Sequence, residues 1–168
     1  MKYFDIDNIR FVIAHTLKIL GNYSPAAENL LLITIRLEDK HGAEKPESGL
    51  GLYKIDRSSH LKIWDDYLAF DPDRASTIRG LASQQAFLQD PHLELITNLA
   101  YATAIAWSIY QRNKVTLPPA EDLSALSSCW EKCFATAHDS QRPQRPRRPS
   151  RARTLTWRPR PAAGLLPA

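Results

Sequence analysis

The sequence predicts a mainly α, multi-helix domain with at most one short extended turn, followed by a disordered tail. Three observations carry this. Through the first 137 residues apolar side chains recur at three- and four-residue spacing, the period of one helix face. Those runs begin and end at Ser, Asp, Gly and Pro, the residues that start and stop helices. Residues 138–168 abandon the pattern for Arg and Pro. The length of 168 residues fits one domain, 1–137, plus that tail, and 43% hydrophobic residues suffice for a core.

In chain order, Ile6, Ile9, Ile13, Leu17 and Leu20 share a helical face, and Gly21-Asn22 ends the run. Ser24-Pro25 opens the next helix, because a serine hydroxyl accepts from a first-turn N–H and proline at the first position wastes no donor. This helix carries Leu30, Leu31, Ile33 and Leu37, with Leu32 and Ile35 on neighbouring faces, so it should be buried on most sides and pack on the first. Polarity returns at Glu38-Asp39-Lys40-His41, and Gly42 is the stop. Lys40 to Ser48, with Gly42 and Pro46, reads as a loop. Gly49-Leu50-Gly51-Leu52-Tyr53-Lys54-Ile55 is a glycine-spaced turn whose backbone can approach another element closely, with Leu52 and Ile55 as its core anchors.

Beyond the turn, Ser58 or Ser59 caps a helix holding Leu61, Ile63, Trp64, Tyr67, Leu68 and Phe70, which ends before Asp71-Pro72. Ile78, Leu81, Ala82, Phe87 and Leu88 give another, broken at Asp90-Pro91. Leu93 to Tyr110 is the longest periodic run, and its alanines let neighbours approach, so it is predicted to be the central buried helix. Ala120 to Ala137, with Leu123, Leu126, Trp130 and Phe134, is the last amphipathic helix.

The formal net charge of +4 conceals an asymmetry. Eight of the 22 Lys and Arg lie in Gln141 to Ala168, which has no acidic residue, leaving 14 against 18 acidic residues, or −4, before it. That tail also holds six of the twelve prolines, and it cannot bury enough apolar surface to order itself. Its composition is the kind that out-of-frame reading of a GC-rich gene produces. The start MKYFDIDNIR has no signal-like apolar core, and no stretch reaches eighteen uninterrupted apolar residues, so a protein made in the cytoplasm without a membrane span is expected. Cys129 and Cys133 share a helix face without a second ligand pair, and the five histidines form no ligand pattern. Neither metal nor cofactor is expected.

The chemistry-bearing candidate is Glu38. A carboxyl in the last turn of a buried helix sits among apolar neighbours at the negative end of the helix dipole, the kind of environment that suits a general acid. An ordinary solvated residue at a helix end is the competing reading. Trp64 and Tyr67 are core aromatics or, alternatively, flat faces for a sugar ring. Asn98 and Tyr101 are the polar-capable residues of the central helix, fit for an interior hydrogen bond or for contact with a ligand.

With these blocks in order, Ile9 to Phe134 resembles the lysozyme-like lytic transglycosylases of the soluble (SLT) type, in their phage or prophage branch, relatives of goose-type lysozyme. In that family a helix ends in a catalytic glutamate, a Gly-Leu-x-Gln-Ile turn follows, and an Asn-Ile-x-x-Gly-x-x-Tyr type of helix lies downstream. Glu38, then Gly51-Leu52-Tyr53-Lys54-Ile55 thirteen residues on, then Asn98-Leu99-Ala100-Tyr101 match that order. The resemblance implies a lysozyme-like fold and cleavage of the β-1,4 link between N-acetylmuramic acid and N-acetylglucosamine in peptidoglycan. Glu38 would be the general acid and base, with Gly51, Leu52, Tyr53, Lys54, Asn98 and Tyr101 near the glycan. It also implies glycan strands and phage virion components as partners, with action in a virion or the periplasm. Two residues depart from the pattern: Asp39 replaces the usual serine and Lys54 the usual glutamine. A decayed site that only holds glycan, or a phage structural role, is therefore the alternative. Nucleic-acid binding through the arginine-rich tail is a third reading.

Overall fold

A computed structural model describes residues 5–42 and 49–135. The chain is mainly helical, and among the described residues the only β pairing is one antiparallel bridge between Leu50 and Ile55. Helix α1 (Ile6–Ile19) starts where the Asp5 carboxylate accepts from Asp7 N, and Gly21, at φ +68°, supplies the left-handed residue after its end. Helix α2 (Pro25–Gly42) starts as expected, with Ser24 Oγ accepting from Ala27 N at 3.1 Å. It packs on α1, and Arg10 of α1 pairs with the buried Glu28 of α2.

The turn after α2 closes through Leu50 N to Ile55 O at 3.0 Å and Ile55 N to Leu50 O at 3.2 Å. Its anchors are Tyr53 and Ile55, 1% and 2% exposed, and not Leu52, which is only half-buried. Tyr53 brings the larger ring, with Thr103 as its own hydroxyl partner.

Helix α3 (Arg57–Asp66) is capped by Asp56 instead of a serine: the carboxylate accepts from Ser59 N at 2.9 Å and from Ser59 Oγ at 2.6 Å. The expected continuation to Phe70 is a separate 3₁₀ turn, Leu68–Phe70. Asp71-Pro72, read as a stop, is also a start. Asp71 accepts from Arg74 N, and Pro72 opens α4 (Pro72–Leu81). Ser83 then caps the short α5 (Gln84–Gln89), so the single helix expected up to Leu88 is two.

The run Leu93 to Tyr110 is likewise interrupted, into α6 (Glu94–Thr97) and α7 (Leu99–Arg112). Asn98 breaks it by adopting extended angles and capping α7, its Oδ1 accepting from Tyr101 N at 3.1 Å. Apolar periodicity does not register a single residue that leaves helical φ/ψ while its neighbours keep the face. Helix α7 is the central one: Tyr101 through Tyr110 are all buried, and α1, α3, α4 and α6 pack around it. Helix α8 (Leu123–Trp130), capped by Asp122, packs on α2 and runs into a π-helical turn, Glu131–Ala135. The loop residues 43–48, the end of the last expected helix beyond Ala135 and the whole tail 138–168 lie outside the described residues. Among those described, no helix is long and apolar enough to cross a membrane.

Candidate functional site

Glu38 lies four residues before the end of α2 and is 3% exposed, so it is not a solvated helix-end residue. Trp130, the last residue of α8, donates its indole Nε1–H to Glu38 Oε1 at 2.9 Å. One turn earlier on the same face of α2, the buried Thr34 hydroxyl donates to Leu30 O at 2.8 Å, so at 2.6 Å it accepts from the Tyr110 hydroxyl. The Tyr110 phenol is pushed well above its ordinary range, first by burial, with Cys133, Glu38 and Tyr53 nearby adding to it. Tyr53, from the turn, pairs its hydroxyl with Thr103 Oγ1 at 3.0 Å, and burial pushes its phenol up as well. Thr103 and Tyr110 are seven residues apart, almost two full turns, and so share one face of α7. Helix α2, through Thr34, and the turn, through Tyr53, thus meet that face at points roughly 10 Å apart along the α7 axis by helical rise.

The turn itself is pressed against α6. Gly51 has φ +68°, and a Cβ there would stand 1.9 Å from Leu95 O. Lys54 also has positive φ, 48°, and is half-buried, with no side-chain ion pair among the described residues. Tyr53 turns into the core, leaving Leu50, Leu52 and Lys54 as the turn's half-buried side chains. Asp39 is exposed.

Asn98 and Tyr101 belong to a different neighbourhood. Asn98 Nδ2 donates to Leu81 O and to Glu94 Oε2, each at 2.8 Å, which joins α4, α6 and α7. Tyr101 is fully buried, and its position nine residues from Tyr110 puts it on the opposite face of α7. Its oxygen accepts from Trp64 Nε1 at 3.0 Å. The same hydroxyl is hydrogen-bonded to His60 Nε2 at 2.8 Å, and His60 Nδ1 is hydrogen-bonded to His92 Nδ1 at 2.9 Å. Burial is the main force lowering the His60 pKa to about 4, and it lowers His92 too. Sequence reasoning missed this relay. Its one legible signal is the i, i+4 spacing of His60 and Trp64 on α3.

His60 and Trp64 of the relay line a cavity of about 440 Å³ between α3, the 3₁₀ turn, α4 and α5. Trp64 and Phe87 lie there at 5.8 Å and 64°, while Tyr67 is instead covered by Arg74. Among the described residues no group of three or more His, Cys, Asp or Glu could hold a metal ion. Cys133 is buried and Cys129 half-buried. Comparison with protein-family models, with curated proteins and with solved structures gives no match.

Proposed function

We propose that the chain is a peptidoglycan-cleaving glycosidase of the lytic transglycosylase or lysozyme kind, acting at the β-1,4 link between N-acetylmuramic acid and N-acetylglucosamine. The observation that carries this reading is Glu38: a carboxyl near the end of a buried helix, 3% exposed, oriented by Trp130, on the helix that meets the same side of α7 as the Gly51 turn. In the proposed reaction Glu38 gives its proton to the glycosidic oxygen as the bond to the anomeric carbon breaks. The resulting carboxylate then removes a proton from the attacking oxygen. That oxygen belongs either to water, giving a hydrolysed end, or to the sugar's own 6-hydroxyl, giving an anhydro end. One carboxyl serves both steps, so no second acid at glycosidase spacing is required. In this reading the half-buried Leu52 and Lys54 meet the glycan, and Tyr53 holds the turn from within.

A second reading, a module that holds glycan or serves a phage particle without cutting, is favoured by the same burial. One Glu38 oxygen is already bonded to Trp130, and little of the side chain reaches solvent. Mass spectrometry of soluble products from purified sacculi separates the two. Anhydro or hydrolysed muropeptides that vanish with Glu38→Gln are expected. Retention on sacculi with no soluble product would replace the enzyme by the binder.

A further inference from the structure

We infer that the cavity beside the His60 relay is a binding site for a small ligand with a flat apolar body and a single carboxylate. Its volume, about 440 Å³, is that of a small-molecule pocket. Leu61, Leu68, Ala69 and Ala75 offer it an apolar lining, and Trp64 is fixed in place by its bond to Tyr101. The histidine in the wall is committed at both ring nitrogens, so it supplies no group to a ligand.

The charge in the cavity selects the ligand's polar end. Arg79, in the last turn of α4, holds its guanidinium 5.5 Å from the Trp64 ring centre and 5.4 Å from that of Phe87. Two aromatic rings position this cation, yet among the described residues no carboxylate pairs with it. Its N–H edge is left for a planar anion, and a guanidinium matches a carboxylate in a bidentate way. Asp65 lines the same cavity, also without an ion-pair partner among the described residues, and repels a doubly charged phosphate ester more strongly than a singly charged carboxylate.

This inference stands apart from the glycan reading, since Tyr101 and the cavity lie on the face of α7 opposite Glu38. The test is calorimetric titration of the full chain with 3-phenylpropionate, its neutral amide 3-phenylpropanamide, and phenyl phosphate. Saturable 1:1 binding of the acid is expected, with the amide about tenfold weaker for loss of the charge-assisted bonds, and the phosphate no tighter than the acid. Arg79→Gln, at an exposed position, should bring the acid to the level of the amide. Ala75→Leu, which fills the cavity, should abolish binding of both. No saturable binding of the acid, equal binding of acid and amide, tighter binding of the phosphate, or an Arg79→Gln protein that binds the acid as before would each overturn the assignment.

Discussion

Trp130 Nε1 donates to Glu38 Oε1 at 2.9 Å, tying α8 to the end of α2 across 92 positions of sequence. Both residues are buried, so the bond is made where a lost partner is costly. Trp130→Phe keeps most of the ring volume and removes the donor. A loss of roughly 1–3 kcal/mol is expected in urea unfolding, together with lower muropeptide release. Glu38→Gln retains a carbonyl oxygen that Trp130 can still donate to, so stability should stay close to wild type while release disappears. Equal losses of stability in both variants would make the pair structural and remove Glu38 from the proposed chemistry.

Gly51 is a position where the turn tolerates no side chain. An L-residue at φ +68° is strained, and its Cβ would collide with Leu95 O of α6, a backbone atom that cannot swing away. Gly51→Ala is expected to cost roughly 2–4 kcal/mol, the range of overpacking added to backbone strain. A midpoint shift worth under about 0.5 kcal/mol, the level of an ordinary surface change, would mean that the turn does not press on α6 as described.

Much of the architecture was legible because the devices that set it are local. Ser24-Pro25 starts a helix by hydrogen-bond chemistry that needs no partner, and the apolar period from Leu99 to Tyr110 places α7 in the core whatever packs on it. What the sequence hid depended on contacts between distant elements. Asn98 carries no helix-breaking signal until Leu81 O and Glu94 give its side chain partners that hold it outside the helix. Leu52 and Tyr53 are equally plausible anchors until Thr103 arrives to satisfy the tyrosine hydroxyl. Glu38 was legible as a carboxyl at the end of a buried helix. The donor that orients it, Trp130, was visible only as one more apolar residue on the last helix face.

The relay from Trp64 to His92 makes stability depend on pH. In the folded chain His60 keeps neutral down to about pH 4, since burial disfavours the charged imidazolium and the neighbouring His92 adds to that. An unfolded histidine takes its proton near 6.5. Between those values the unfolded state binds more protons, so this contribution is complete above pH 6.5 and is lost as pH falls toward 4. At pH 4.5 the loss amounts to roughly 2–3 kcal/mol. Urea midpoints measured from pH 7.5 to 4.5 should fall, and the fall should be shallower in His60→Asn. Identical pH slopes for the two proteins would show that His60 titrates normally in the fold.

The two cysteines, four residues apart, should differ in reactivity. Cys133 is 4% exposed, and its thiol is pushed up to about 11 by burial above all, with Cys129 adding to the rise. At pH 8 such a thiol is thiolate only about one part in a thousand, and the packed surroundings block a reagent's approach as well. Cys129 is half-buried. A disulfide reagent added to the native protein should therefore modify Cys129 quickly and Cys133 only after unfolding, so Cys129→Ser should abolish the fast phase and Cys133→Ser leave it intact. Because Cys133 and Phe134 sit in the π-helical turn that follows Trp130, the slow phase also reports how often that end of α8 opens. Fast native labelling of Cys133 would mean that the turn lifts readily, and with it the indole that holds Glu38.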